Sequence, residues 1–254
     1  MARVHLFEIE DQPWCPAVLR DAGTAYITRF CELTGLMRGA APRIRALVAA
    51  ANGRVVDLGS GAGGPARLLL DLVDDDVTVL CTDLFPNRPA LEDAARRQPR
   101  LSWHPDPVDA RDVPPDLHGA RTMFNAFHHL RPDDARAVLA DAVAKRQPIG
   151  IFEFVGRQPH AVPGVFGIPF AVLALVPWLR PFRWSWLPLT YLVPVVPAFI
   201  WWDGLVSCLR VYAPDELRAL VRGLDDFEWD IGTFPLPFPG YGTYLVGLPR
   251  RDLS

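Results

Sequence analysis

From residue 54 onward the apolar and polar positions alternate as strand and helix. Residues 54–58 (RVVDL) make a short apolar strand, the turn GSGAGG occupies 59–64, and Arg67, Leu68, Leu69, Leu70 and Leu72 carry a helix. Residues 77–82 (VTVLCT) predict a second strand ending at Asp83, with the next helix over 87–98. A third strand is expected at 101–104, a fourth at 121–127 (RTMFNAF) and a fifth at 149–155 (IGIFEFV). The helix at 132–146 is the clearest local pattern. Pro132 and Asp133-Asp134 fill its first turn, where a missing N–H and negative charge are both favourable. Ala135, Val138, Leu139, Ala142 and Val143 then recur at helical spacing. Alternation with short links predicts a parallel sheet covered on both faces.

The flanks differ. Residues 13–52 read as helical, with Pro42 able to open the last helix and Asn52-Gly53 tolerating the left-handed turn that closes it, so 1–52 is expected to be an N-terminal cap or lid on a domain spanning 53–254. Near the other end, a helix opens at Pro214 with Asp215 and Glu216 and stops at Gly223. Two strands near 227–234 and 241–248 follow, joined by PLPFPG, a link too short for a parallel crossover; the last pair is therefore expected to be antiparallel.

Between these regions lies an apolar insertion, 156–205. Its stretch 161–202 carries two charges, Arg180 and Arg183, with seven prolines and five of the eight tryptophans. The runs 161–179 and 186–202 approach the ~20 residues that span a bilayer. Pro163, Pro169, Pro177, Pro188, Pro194 and Pro197 interrupt them, however, and lipid cannot repair a broken helical ladder. The link from Arg180 to Trp186 has the cation-plus-aromatic composition of a membrane interface. Three readings stay open: a lid over a greasy pocket, a homodimer surface, or a hairpin making peripheral membrane contact. Pocket and membrane both imply a lipophilic ligand.

Composition narrows the class. The chain has 254 residues, half of them hydrophobic and 22% charged, which excludes a disordered protein. A net charge of −3 gives nucleic acid no electrostatic support as a partner. Cys15, Cys31, Cys81 and Cys208 are scattered, and the first residues place acids where a signal peptide needs an apolar run; the expected location is the cytoplasm, with membrane association left to the hairpin reading.

The chemistry centres on Asp57-Leu58-Gly59-Ser60-Gly61-Ala62-Gly63-Gly64. A strand running into such a turn lets a ligand approach bare backbone, and the next helix adds oriented N–H groups. Gly59-x-Gly61-x-x-Gly64 also satisfies the dinucleotide fingerprint, so a NAD(P)-dependent oxidoreductase is one alternative. Three features favour S-adenosylmethionine (SAM). Asp57 can meet a cationic amino-acid group and would repel a pyrophosphate. Asp83 is placed to accept ribose hydroxyls, and Asp109, in the run 108–114 after strand three, can take an adenine amino group.

With these motifs in order, the sequence resembles the class I SAM-dependent methyltransferases, by motif over roughly 50–155 and by strand order over 210–248. The resemblance implies a doubly wound α/β fold, a Rossmann-like seven-stranded sheet, mostly parallel with an antiparallel last strand. It also implies that Gly59, Ser60, Gly61 and Gly63 border the methionine moiety, that Asp83 and Leu84 hold the ribose, that Asp109 and Ala110 meet the adenine, and that Asn125 lies beside the sulfonium. S-adenosylhomocysteine would be the product. The segments DQPWCPAVLRD and WDGLVSCLRVYAPDEL are similar to an uncharacterised bacterial subgroup and add no substrate. The expected activity is methyl transfer to an O, N or C nucleophile of a hydrophobic small molecule. A membrane-docking or non-methylating protein on the same scaffold is the other alternative.

Candidates for the acceptor side follow strands four and five. His128 or His129 could take a proton near neutrality, with His128 preferred; the competing reading has one imidazole capping the helix near Arg131 and the other buried and hydrogen-bonded. Glu153, between Phe152 and Phe154, is either functional or ion-paired to an arginine such as Arg157. Trp14, Phe127, His128, Asp203 and Tyr241 are the expected substrate contacts, Trp14 as part of a lid or simply as cap packing. No metal is expected: adjacent histidines on a helix point about 100° apart.

Overall fold

The computed structural model describes residues 2–158 and 162–250. Seven strands form one sheet: β1 (Arg54–Leu58), β2 (Thr78–Thr82), β3 (Leu101–Trp103), β4 (Ala120–Phe124), β5 (Ile149–Glu153), β6 (Phe227–Pro235) and β7 (Tyr241–Pro249), in the order β3-β2-β1-β4-β5-β7-β6. The first five are parallel, while β7 runs antiparallel to both β5 and β6. The registers Asp57↔Cys81, Asp57↔Thr122 and Glu153↔Thr243 bring the carboxyl ends of β1, β2, β4 and β5 to one rim, joined there by the start of β7.

Every residue of β4 and β5 is buried, as expected of parallel strands covered on both faces. Neighbouring residues feed opposite layers. Val55 and Phe152 pack with Leu36, Ile44, Leu47 and Leu69, while Val56 and Ile151 pack with Val138, Leu139, Leu217 and Leu245. The helices supplying these layers are α2 (Ala41–Ala49), α3 (Gly64–Leu70), α4 (Arg88–Arg97), α5 (Pro132–Ala144) and α9 (Pro214–Leu220). Pro132 with Asp133-Asp134 opens α5, and Asn52 and Gly53 adopt positive φ after α2, as their chemistry predicts. The fourth strand is shorter than its apolar run, because Asn125 takes φ 48° and the chain turns at once into a short 3-10 segment, Phe127–His129.

A third core lies outside the sheet. Leu19, Ala22 and Tyr26 of α1 (Ala17–Thr34) pack on Val172 of α7 (Ile168–Leu175), on Val176, Leu179 and Trp186, and on Val196, Phe199 and Ile200 of α8 (Val195–Arg210). A single turn, α6 (Val162–Val165), precedes α7. The Trp186 indole donates to the Val18 carbonyl at 2.9 Å. Prolines thus break the apolar insertion into short pieces that roof the N-terminal helix. Among the described residues no single helix is long and apolar enough to cross a membrane; α8 and α9 reach that length only together, bent by 64°.

Candidate functional site

The glycine turn leaves β1 at the rim. Gly59, Gly61 and Gly63 all take positive φ, 66°, 55° and 75°, conformations that an L side chain resists. A methyl group built on Gly61 would meet nothing within 4 Å, so the space above it is open, whereas one on Gly63 would touch Leu91, Ala94 and Cys81. The turn is fastened to the end of β2. Ser60 N–H donates to the Thr82 carbonyl, and the Asp83 carboxylate accepts from the backbone N–H groups of Gly61 and Phe85, both at 2.8 Å. A carboxylate offers about four acceptor sites, so Asp83 has capacity left toward the cleft. Beside it, Leu84 is exposed and Phe85 is 84% exposed.

Asp57 lies beneath the turn. It is buried and accepts from the hydroxyls of Ser60 (2.7 Å) and Thr122 (2.6 Å). Burial raises its pKa to about 6 against the pull of those hydrogen bonds. Asp109 sits beyond β3 with its carboxylate held by the Arg111 side chain and backbone N–H, and the shared guanidinium keeps its pKa low. Asn125 ties two strand ends together, its Oδ1 accepting from Phe154 N–H at 2.7 Å.

The ends of β4 and β5 hold a second polar cluster. Glu153 reaches back to the 3-10 segment: Oε1 accepts from His128 N–H at 3.0 Å, and Oε2 lies 2.7 Å from His128 Nδ1. Of the two readings of Glu153, the ion pair to Arg157 does not form; Arg157 pairs with Glu216 instead. Neither histidine caps the following helix, whose N-cap is Arg131. Their ring centroids are nonetheless 4.3 Å apart with planes tilted by 30°, although a 3-10 turn separates adjacent residues by about 120° around its axis.

The N-terminal strap covers this cluster. Asp203 on α8 accepts the N–H groups of Ile9 (2.7 Å) and Glu10 (3.0 Å), which fixes the strap and sets the fully buried Glu8 carboxylate over both imidazoles. Glu8 Oε1 lies 3.6 Å from His128 Nε2, and Oε2 lies 3.2 Å from His129 Nδ1. His129 Nδ1 also bonds Asp11 at 2.8 Å, and Arg210 closes the group through Asp11 at 2.7 Å. Burial opposes charge on His129, but Glu8, Asp11 and Glu10 outweigh it and raise its pKa to about 10. Burial, with Glu10 and Glu8 adding to it, lifts Asp203 to about 7 despite its backbone hydrogen bonds.

The remaining expected contacts are dispersed. Phe127 is fully buried against Tyr212 in the core, so its ring faces no cleft. Trp14 is 65% exposed and is not part of the core that α1 shares with the insertion. Tyr241 is exposed at the start of β7. Glu8, Asp11, Arg210 and Ser207, whose hydroxyl donates to Glu8 Oε1 at 3.1 Å, were not among the sequence candidates. The acid-rich stretch FEIED at 7–11 covers Glu8 and Asp11, and the segments 11–21 and 202–217, similar to the bacterial subgroup, hold Asp11, Ser207 and Arg210 without assigning them a role.

No protein-family model matches the chain, and no curated protein matches it in sequence. Solved structures do resemble it. An O-methyltransferase from neocarzinostatin biosynthesis, in complex with S-adenosyl-L-homocysteine and 1,4-dihydroxy-2-naphthoic acid, superposes with a TM-score of 0.53 at 16% identity, over 88% of this chain and 56% of that one. Its complex with S-adenosylmethionine and 2-hydroxy-5-methyl naphthoic acid gives 0.52 at 15%, over 88% and 55%. The fold is the Rossmann-like methyltransferase fold. The chain spans just over half the length of that enzyme. Within the methyltransferase fold the expected seven strands and the antiparallel last strand are all present, and the glycine turn and the His128–Glu153 pair share the carboxyl rim of the sheet.

Proposed function

We propose that this protein is a SAM-dependent methyltransferase that methylates an O, N or C nucleophile of a hydrophobic small molecule. The observation that carries the reading is the glycine turn, with three left-handed glycines, Gly61 held to Asp83, and open space above Gly61 at the rim. These residues fit the cofactor: bare backbone admits its amino-acid portion, and Asp83 keeps acceptor sites for ribose hydroxyls. Leu84 and Phe85 offer apolar surface to the base. Asp57 supplies negative charge below the turn. Asp109 would have to share its carboxylate with Arg111 to accept an adenine amine, and Ala110 would add backbone contacts. Bound there, SAM supplies a methyl group already activated by its cationic sulfur.

The chain's own task is then mainly alignment and exclusion of water. Asn125, on the strained corner after β4, would help position the reacting end. His128 is the candidate proton acceptor at Nε2, with Glu153 holding Nδ1 and stabilising the imidazolium; this uses the logic of a base oriented by a carboxylate. His129, paired to Asp11, would contribute charge and position. Glu8 sits against Nε2, so the strap must shift before an acceptor reaches that atom. The packing of the insertion on α1 supports its reading as a lid. Methyl transfer is favoured over the nicotinamide alternative by β7, which intervenes antiparallel between β5 and β6, whereas dinucleotide folds follow the order 3-2-1-4-5-6.

Calorimetry with SAM and S-adenosylhomocysteine should show stoichiometric binding, and Asp83→Ala should weaken it about tenfold or more, ~1.4 kcal/mol. NADH should give no fluorescence response. Absence of SAM binding, or an affinity that Asp83→Ala leaves unchanged, overturns the reading. Product analysis on hydroxylated and aminated aromatics then tests the acceptor class.

A further inference from the structure

Under the strap two buried, electron-rich atoms have no hydrogen-bond partner among the described residues: His128 Nε2, on a residue 2% exposed, and Glu8 Oε2, on a fully buried residue and 3.2 Å from His129 Nδ1. An ionised Glu153 only accepts, so its 2.7 Å contact fixes the proton on His128 Nδ1 and turns the Nε2 lone pair toward Glu8. The 3.6 Å to Glu8 Oε1 is too long for a hydrogen bond to relieve that opposition. Four carboxylates, from Glu8, Glu10, Asp11 and Glu153, lie within 4 Å of the two imidazoles, and Arg210 pairs with Glu8 and Asp11 among them. A metal ion entering here would meet the free Nε2 of His128 and displace the proton that the surrounding acids hold on His129.

We propose that Glu8, His128 and His129 bind one divalent transition-metal ion of the Zn2+ type, which latches the N-terminal strap to the ends of β4 and β5. One candidate ligand atom from each residue lies within 4.8 Å of the other two. Bonds of about 2.0–2.2 Å to a shared ion set ligand atoms about 3–4 Å apart; Glu8 reaches this range with one oxygen toward each imidazole, 3.6 Å to His128 Nε2 and 3.2 Å to His129 Nδ1, so a small rotation of its carboxylate completes the set. Glu153 stands where the outer carboxylate of a carboxylate–histidine–metal arrangement stands, orienting the ring and raising its basicity. Ligation through His129 Nδ1 would displace its bond to Asp11, freeing that carboxylate for the fourth position. Two imidazoles with a carboxylate suit Zn2+ or Co2+ and not Mg2+ or Ca2+, which prefer all-oxygen shells.

The site goes beyond the methyl-transfer reading, because a His128 Nε2 that holds the ion can accept a proton only after the latch opens and the ion leaves it, and its test uses no SAM. Full-length protein is stripped with chelator, dialysed, and titrated calorimetrically with Zn2+ and with Mg2+; Co2+ is added separately and its visible spectrum recorded. The expected result is one equivalent of Zn2+, no Mg2+ heat, and Co2+ d–d bands without thiolate charge transfer. Glu8→Gln and His129→Gln should each weaken Zn2+ binding about tenfold or more, with circular dichroism reporting that each variant is folded. Should one variant fail to fold, the other variant and the wild-type Co2+ spectrum decide. No stoichiometric uptake, uptake undiminished in the folded variants, or a thiolate band from the four cysteines would each overturn the proposal.

Discussion

At Asp57 one carboxylate, enclosed by Ser60 and Thr122, makes stability depend on pH. Its group ionises near 3.8 in an unconstrained chain and near 6 in the fold, so the folded chain binds more protons between those values. Stability from this group is therefore fully present below about pH 4 and falls as pH rises through about 6, by up to about 3 kcal/mol. Asp57→Asn, neutral throughout, should remove that decline: denaturation free energies of wild type and variant, measured from pH 4 to 7, should converge at the acid end and separate toward neutrality. Parallel curves would show that Asp57 titrates normally in the fold. The residues of the glycine turn were legible in the sequence because their conformations are local demands of the chain. Glu8 and Arg210 were not, because a contact across some 200 residues leaves no spacing to read.

Between elements, the site depends on how closely α1 approaches α3. A Cβ at Gly64, the first residue of α3, would overlap the Thr28 side chain on α1, and Thr28 is β-branched and stiff. Gly64→Ala should therefore cost about 1–3 kcal/mol through overpacking. The double variant with Thr28→Ala should recover most of that, read from the denaturant midpoints of the four-member cycle. If Gly64→Ala proves neutral, the helices are not held at this separation. Periodicity and caps located α5, β1, β2 and β5 because propensity and burial agree there. The fourth strand ran too long in the sequence reading: the apolar pattern continues through Phe127, yet the corner at Asn125 is set by a tertiary hydrogen bond to Phe154. The same corner puts His128 and His129 on a 3-10 turn with ring centroids 4.3 Å apart and planes tilted by 30°, a contact that backbone spacing alone does not anticipate.

On the scale of the whole molecule, the sheet and its two helical layers are one structure and the roof of α1, α7 and α8 another, with its own core. The composition of 161–202 did not reveal this, since an apolar, proline-broken segment fits a roof as well as a membrane hairpin; what distinguishes the roof is that Trp186 and Phe199 turn inward onto α1. Trp186 is the largest side chain in that core and is fully buried, so Trp186→Ala should remove about 3–5 kcal/mol from it. Because the third cluster is separate from the sheet cores, the loss should be local: hydrogen exchange and limited proteolysis should accelerate in α1 and across 162–210 while the amides of β1, β4 and β5 keep their protection. Uniform loss of protection would mean that roof and sheet unfold as one unit. The local outcome would also loosen the strap, since Asp203 and Arg210 hold it from α8, and would tie access to His128 directly to the integrity of the roof.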